Sequence, residues 1–135
     1  MMAAVGGKWK LMKAEKTYCH VAVAIAVIGG KWKPWILWQL YDGVRRYGEL
    51  RRLTPGITGK MLTQHLRELE RDGVVRRKVH DEKPPRVEYS FTEYGETLRP
   101  ALKELCRWGG QHCERRSATS RRSGVAIKTP NLNKA

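Results

Sequence analysis

Polar side chains of types that suit the edges of DNA bases recur along the stretch from residue 55 to residue 77. Leu62, Leu66 and Leu69 have the spacing of one buried face of a helix. The polar residues project from the opposite side of that helix, and they are Lys60, Thr63, Gln64, Arg67 and Arg71. Guanidinium groups donate to guanine edges, amides pair with adenine, and cations neutralise phosphate. We therefore predict a helix that reads a major groove, although an ordinary charged surface helix would show the same amphipathic pattern.

The neighbouring elements place this helix in a helix-turn-helix. Thr58 suits its N-cap and is included among its predicted DNA contacts, and Gly73 suits a left-handed C-cap. Before it, residues 44–47 favour a short strand and residues 48–53 a helix of at most two turns, which Pro55 ends. Two short helices joined by a tight turn, the second with a polar face, are typical of the helix-turn-helix. This context favours DNA reading over the ordinary surface helix.

Two alternating, β-branched runs at residues 74–79 and 86–91 predict a hairpin after the polar helix. The intervening HDEKPP contains two prolines, which cannot lie inside a β-ladder, so it should form an extended charged tip. A hairpin in this place is a wing, able to reach the minor groove or the DNA backbone. We predict DNA contacts from Arg76, Lys83 and Arg86, and the alternative is a structural hairpin with solvated charges.

The flanking segments supply the remaining helices. Residues 19–28 are apolar at nearly every position, which fits a buried helix or a strand, and residues 34–42 predict a helix with proline in its first turn. Thr92 is expected to cap a final helix that continues to about Arg116, with Pro100 bending or restarting it. The apolar stripe of that helix comprises Leu98, Ala101, Leu102, Leu105 and Trp108. The predicted fold class is α+β, mostly α: a winged helix-turn-helix with flanking N- and C-terminal dimerisation helices.

We divide the chain into a basic flexible arm (residues 1–18), the winged helix-turn-helix domain with its flanking helices (19–116) and a disordered basic tail (117–135). The apolar segments at 21–28 and 98–108 offer more surface than so small a core covers. Symmetric pairing of two chains would bury that surface and set two polar helices about one DNA turn apart. We therefore expect a homodimer.

The charge of the chain favours a polyanionic partner. It has 27 lysine and arginine residues against 13 aspartate and glutamate, a net charge of +14, which suits nucleic acid or an anionic membrane. The longest apolar run, at 21–28, is far shorter than the ~20 residues of a membrane span, so we expect no membrane partner. The three cysteines form no CxxC pair, which disfavours a disulfide framework or a zinc site and fits the reducing cytoplasm. We predict no metal and no cofactor.

Two other functions fit parts of the sequence. A thiol enzyme could use Cys19 beside His20 or Cys113 beside His112, but neighbours in sequence point in different directions on a helix. The sequence also has no glycine-rich phosphate loop or HExxH motif, so we expect no enzyme. A nucleoid or RNA-binding protein acting through charge alone would show little sequence preference and would not need the polar pattern of residues 58–72.

Three motifs, in this order, resemble the HxlR-type family of winged helix-turn-helix regulators: IGGKWKPWILWQL, RRYGELRRLTPGITGKMLTQHLRELERDGVVRR and PPRVEYSFTEYGETLRP. The resemblance covers roughly residues 19–108. It implies a small bacterial regulator of transcription that binds double-stranded DNA as a homodimer, pairing through its first and last helices. It also implies a role for Cys19, because several members sense electrophiles or oxidants through a cysteine just before the first helix. The family often has proline after that cysteine, where this chain has His20.

The residues around Cys19 favour such a sensing role. At a helix start, unpaired backbone N–H groups and the helix dipole stabilise a thiolate, and Lys16 and a protonated His20 would act in the same direction. Cys106 lies beside a predicted buried stripe, where a thiolate is disfavoured, and Cys113 is the main rival. The alternative is a small apolar residue that happens to be cysteine.

Overall fold

The computed structural model describes residues 19–123, which fall into two compact units, one ending at Glu96 and the other beginning at Thr97. The helices and strands of the first unit, in chain order, are α1 (His20–Ile28), α2 (Lys33–Tyr41), β1 (Arg45–Arg46), α3 (Tyr47–Leu53), α4 (Gly59–Arg71), β2 (Val75–His80) and β3 (Arg86–Phe91). A 3-10 turn, Gly95–Leu98, leads into α5 (Arg99–Ser123) of the second unit.

The three strands form one antiparallel sheet in the order β1-β3-β2. β2 and β3 pair along their whole length, from Val75 opposite Phe91 to His80 opposite Arg86. β1 adds a short pairing in which Arg45 lies opposite Tyr89. The predicted strand before α3 and the predicted hairpin are confirmed, and with α3 and α4 they make the predicted winged helix-turn-helix.

A core of leucine and isoleucine side chains holds α4 in place. Each member is at most 1 % exposed, and they are Ile36, Leu37 and Leu40 of α2, Leu50 of α3, and Leu62, Leu66 and Leu69 of α4. Burying one such side chain contributes about 1.5–3 kcal/mol relative to leaving it in water. Because the helical repeat puts the three leucines of α4 on one face, its opposite face remains in solvent.

The ends of α4 have the caps that the sequence predicts. Thr58 Oγ1 accepts a hydrogen bond from the Met61 N–H at 3.1 Å, and Gly73 has a φ of +80°, in the left-handed region. After Gly73 the chain enters β2, and Val74, just before that strand, lies in very close contact with Gly95. A Cβ on Gly95 would lie 2.0 Å from the carbonyl oxygen of Val74, so a larger residue at position 95 would separate these two segments.

The apolar residues that fitted a helix or a strand form a helix, α1. Ile28 is its one buried residue, although the helix is apolar throughout. Among residues 19–123 no single helix is long and apolar enough to cross a membrane. α1 and α2 meet that test only as a pair, and an 82° bend separates them.

The final helix begins later than predicted. Thr92 Oγ1 accepts the Gly95 N–H at 2.9 Å, so it caps the 3-10 turn, and the α-helix itself starts at Arg99. Pro100 then lies in the first turn of α5, where backbone N–H groups have no partner within the helix. A proline there removes no helical hydrogen bond. The prediction that Pro100 restarts the helix is thereby confirmed.

The final helix also ends later than predicted. It continues to Ser123 instead of stopping near Arg116, so residues 117–123, which we expected to be disordered, are helical. The sequence between positions 111 and 123 contains no glycine or proline, and its serine, threonine and arginine residues are tolerated in a helix. The predicted arm (1–18) and the remainder of the predicted tail (124–135) lie outside the described residues.

Candidate nucleic-acid interface

The polar face of α4 lies in solvent, directly opposite its buried leucines. Five of its six predicted DNA contacts are exposed, namely Thr58, Lys60, Gln64, Arg67 and Arg71. Gln64 Nε2 donates to Glu68 Oε1 at 3.3 Å, which leaves the amide oxygen and the second N–H for a base edge. Among these five side chains are the amide and guanidinium groups that pair bidentately with adenine and guanine.

The sixth predicted contact, Thr63, is half-buried and already hydrogen-bonded. The Tyr47 hydroxyl donates to the Gly59 carbonyl oxygen at 3.0 Å and lies 3.1 Å from Thr63 Oγ1. Because a phenol has one proton, the Thr63 hydroxyl must donate to Tyr47. These two bonds join α3 to the first turns of α4, so the Thr63 hydroxyl is engaged within the helix-turn-helix.

A cationic groove runs between α3, α4 and the tip of the hairpin. Its volume is about 1120 Å³, and its cationic lining residues are Arg46, Arg52, Arg67, Arg77, Lys83 and Arg86. Three glutamates, Glu49, Glu70 and Glu82, lie in the same lining. The six cations exceed the three carboxylates, so the groove attracts anions. It brings Arg67 of α4 together with Lys83 and Arg86 of the hairpin, as expected of a wing beside a recognition helix.

Three of the groove arginines were missed in the sequence analysis. Arg46 precedes α3, Arg52 lies in its last turn, and Arg77 lies on β2. For Arg46 and Arg52 the available signal was the density of arginine in RRYGELRR, where four of eight residues are basic, and Arg77 directly follows the predicted contact Arg76. The spacing of these arginines follows neither a helical nor a strand period, so it does not predict a shared face. The groove forms only when α3, α4 and the hairpin pack together.

Tyr89 forms part of the groove lining and anchors Arg77. The ring is buried, and burial raises the pKa of Tyr89, opposed by the hydrogen bond and charge of Arg77. The phenol is therefore neutral at pH 7. It acts as a hydrogen-bond partner that orients Arg77 toward the groove.

The three predicted wing contacts differ in their surroundings. Arg76 on β2 and Lys83 at the tip are exposed. Arg86 is half-buried, and its guanidinium lies 3.2 Å from the Glu82 carboxylate and 3.6 Å from the Glu88 carboxylate. Glu88 also contacts the imidazole of His80. The charge of Arg86 is therefore compensated within the hairpin, whereas Arg76 and Lys83 present theirs to solvent. Arg76 lies outside the groove lining.

An ion pair beneath α4 joins it to α2. Lys33 Nζ lies 2.6 Å from Glu68 Oε2, with the lysine side chain 11 % exposed and the glutamate side chain 31 % exposed. Burial alone would raise the pKa of Glu68, but the hydrogen bond and charge of Lys33, assisted by Gln64 and His65, lower it overall. Burial raises the pKa of Asp72 at the C-cap of α4, and Lys33 opposes that shift.

The three cysteines have different environments. Cys19 is the N-cap of α1 and is exposed, at the helix start where the sequence predicted it, and its carbonyl oxygen accepts the Val23 N–H at 3.1 Å. Cys106 and Cys113 are half-buried on α5. Within residues 19–123, histidine, cysteine and acidic side chains form no group of three or more that could hold a metal ion.

The sequence matches the family model described as HxlR-like helix-turn-helix over residues 27–117. It is 52 % identical over 104 residues to the HTH-type transcriptional regulator YkvN of Bacillus subtilis, covering 77 % of this chain and 88 % of that protein. An HTH-type transcriptional regulator of Methanothermobacter thermautotrophicus is 48 % identical over 106 residues, covering 76 % and 81 % of the two chains.

Solved structures of related regulators share this fold. The redox regulator HypR in its reduced form is 44 % identical with a TM-score of 0.70, covering 74 % of this chain and 99 % of that one. Diamide-treated YodB of B. subtilis is 35 % identical with a TM-score of 0.59, covering 70 % and 94 %. With its exposed α4 face and adjoining wing, the chain belongs to the HxlR-like helix-turn-helix family of transcriptional regulators.

Proposed function

We propose that this chain is a cytoplasmic regulator that binds a specific double-stranded DNA operator as a homodimer. Gln64 and Arg67 read base edges in the major groove, while Lys60, Arg71, Arg76 and Lys83 contact phosphates. The observation that carries the proposal is the exposed polar face of α4, which is backed by buried leucines and continuous with the cationic groove. We add Arg46, Arg52 and Arg77 of that groove to the predicted phosphate contacts.

Exposed apolar side chains support the homodimer. On α1, Val21 is 69 % exposed and Ile25 53 % exposed. On α5, Leu105 is 51 % exposed and Trp108 63 % exposed. Apolar side chains grouped on one helix are unfavourable in water, and a second copy of the chain would cover both groups. Such a dimer places two α4 helices on one face of DNA, about 34 Å apart.

The main competitor is charge-driven binding to DNA or RNA without sequence readout. Both functions require the positive groove, but only operator recognition requires the amide and guanidinium groups of α4. The discriminating measurement is the ratio of operator to random-duplex affinity at one salt concentration, with the operator located by footprinting upstream of the protein's own gene. A ratio of about 10³ or more supports sequence readout, and a ratio near one supports the competitor.

Replacing Arg67 with alanine is expected to weaken operator binding by about 1–3 kcal/mol and random-duplex binding by less, because a bidentate guanine contact exists only on the correct sequence. Fluorescence anisotropy with both duplexes measures the two losses. Lys60→Ala is the matched control, since a phosphate contact should cost the same on either duplex. Equal losses on both duplexes for Arg67→Ala would remove Arg67 from the base-reading set.

A second proposal concerns regulation: oxidation or alkylation of Cys19 releases the operator. Its support is the exposed position of Cys19 at the α1 N-terminus, where a modification adds bulk beside the exposed Val21. The likeness to the redox regulator HypR and to diamide-treated YodB also supports it.

Diamide takes up two electrons and two protons as it joins two thiols in a disulfide, here the Cys19 thiols of the two subunits. Treatment with diamide is therefore expected to weaken operator binding of the unmodified protein by about 5- to 150-fold, the range of ordinary allosteric coupling. Cys19→Ser should retain its affinity, whereas Cys106→Ser and Cys113→Ser should respond like the unmodified protein. Release of the operator by oxidised Cys19→Ser would exclude Cys19 as the sensor.

A further inference from the structure

The C-terminal part of α5 carries an uncompensated group of arginines that the proposed function does not use. We call residues 114–123, ERRSATSRRS, the arginine segment. The segment is helical, and all four of its arginines, Arg115, Arg116, Arg121 and Arg122, are exposed. Its single acidic residue is Glu114, so the ten residues carry a net charge of +3.

Several other basic side chains have carboxylate partners. Arg45 lies 3.4 Å from Asp42, Arg86 lies 3.2 Å from Glu82, and on the same helix Arg107 lies 2.7 Å from Glu104. None of the four arginines in the segment has such a partner among residues 19–123. Within the described part of the chain, no ion pair offsets their mutual repulsion.

Stabilisation of the helix end accounts for only half of the group. Arg121 and Arg122 lie in the last turn of α5, where cations interact favourably with the helix dipole. Arg115 and Arg116 lie about two turns earlier, beyond the range of that effect. Among the residues that the structure describes, no ion pair accounts for Arg115 and Arg116.

The composition of the segment identifies the kind of partner. It contains no leucine, isoleucine, valine or aromatic residue, so it offers nothing to an apolar groove or to the interior of a membrane interface. Exposed guanidinium groups without apolar neighbours suit phosphate, which they bind bidentately. We propose that the arginine segment binds the phosphates of duplex DNA flanking the operator, outside the base pairs read by α4.

The spacing of the arginines is compatible with one duplex. Arg115 and Arg122 are seven residues apart, nearly two turns, so they share a face of α5 and are separated by about 10 Å along its axis. Over that distance one strand of a duplex carries about three phosphates, at ~3.4 Å of helix axis each, so the two arginines can contact phosphates of a single duplex. The inference rests on the proposed function, because the operator-binding helix and the segment belong to one chain and operator binding would tether the segment to the same DNA.

The test compares two duplexes with the same central operator, one trimmed to the footprint and one extended by about 15 base pairs on each side, roughly 1.5 turns. Binding of the full chain is measured by anisotropy over a series of salt concentrations. Arg115→Gln, Arg116→Gln, Arg121→Gln and Arg122→Gln are combined in one variant. On the extended duplex this variant should lower the slope of log affinity against log salt by about two to four, at ~0.9 per lost phosphate contact. On the trimmed duplex the slope should change by less than about one.

Two further variants separate phosphate binding from net charge and folding. Arg107→Gln removes a compensated charge from the same helix and should leave both slopes unchanged. Replacing all four arginines with lysine keeps the charge and should retain most of the slope. Far-UV circular dichroism establishes that each variant keeps its helix. An unchanged slope on the extended duplex, or equal losses on both duplexes, would overturn the inference.

The remaining outcomes distinguish this inference from the proposed function. If the unmodified protein shows no operator preference, the proposed function fails. No flanking DNA is then defined, so the inference fails with it, whereas a clear operator preference with an unchanged slope would overturn the inference alone. Vesicles of phosphatidylserine and phosphatidylcholine test the other polyanion: a four-glutamine variant that loses vesicle binding but keeps its DNA slope would assign the segment to membranes and overturn the inference.

Discussion

Replacing Leu105 with aspartate is expected to convert the protein from a dimer into a monomer and to weaken operator binding by about 10²- to 10⁴-fold. Leu105 is 51 % exposed within one chain, so the substitution costs little in the folding of that chain. In a dimer the same position would be buried, and an unpaired carboxylate there is strongly unfavourable. A monomer binds one half-site and loses the second, which had been held at high effective concentration.

Light scattering and anisotropy measure the two effects on the same samples. Gln111→Asp is the matched control, because it introduces the same charge at an exposed polar position of α5 and should leave both properties unchanged. Val21→Asp tests the apolar face of α1 in the same way, since Val21 is 69 % exposed. Leu102 is a poorer choice for this test because it is already buried within the single chain. A single-chain mass for the unmodified protein would reject the dimer directly.

Local interactions explain why α4 could be predicted from sequence. Its leucine spacing, the Thr58 cap and the left-handed Gly73 all depend on residues within a few positions of one another. The same holds for the hairpin, whose alternating residues and proline tip lie in one short stretch. Fold class and the exposed polar face of α4 therefore follow from local patterns, because one buried face determines the exposed one.

The groove and the internal contacts of α4 depend instead on distant residues. Thr63 carries a side chain suited to a base edge, but Tyr47, sixteen positions earlier, binds its hydroxyl. Arg46 and Arg77 reach the same groove only because β1 and β2 both pair with β3. The length of α5 was underestimated for a different reason, since serine and threonine tolerate helix and disorder alike, and composition does not choose between them.

The ion pair between Lys33 and Glu68 is a further long-range contact, and it gives the second large expected effect. Replacing Lys33 with methionine should destabilise the first unit by about 1–3 kcal/mol at pH 7. Loss of one partner from a buried pair costs about 3–5 kcal/mol, and the partial exposure of Glu68 reduces that figure. Glu68 would then face Asp72 without the lysine that attracts both carboxylates. Because Glu68 lies on α4, operator affinity should fall together with stability.

The pH dependence of this effect has a definite sign. The pKa of Glu68 is lowered in the folded chain, so its stabilising contribution is complete above its unfolded value of about 4.3 and is lost as the pH falls through the folded value. The pKa of Asp72 is raised, so that group acts in the opposite direction and its destabilising contribution disappears on acidification. In Lys33→Met, burial without the lysine raises the pKa of Glu68 above its ordinary value. The difference in stability between the unmodified protein and Lys33→Met should therefore begin to shrink as the pH falls through that raised value, and should go on shrinking until the pH has passed the lowered pKa of Glu68 in the unmodified protein.

Urea denaturation at one protein concentration measures the stabilities, and a double-mutant cycle isolates the pair. The cycle combines Lys33→Met with Glu68→Gln, which keeps the shape of the side chain and removes its charge. At pH 7 the double variant should be more stable than the sum of the two single losses predicts. Each single variant leaves one partner of the pair without its hydrogen bond, whereas the double variant removes both charged partners. Adding Asp72→Asn to Lys33→Met should recover part of the loss, since it removes the second carboxylate that faces Glu68. The contrary result is that the loss of stability in the double variant at pH 7 equals the sum of the two single losses. It would mean that the contact at 2.6 Å between Lys33 and Glu68 contributes nothing to holding α4 on α2.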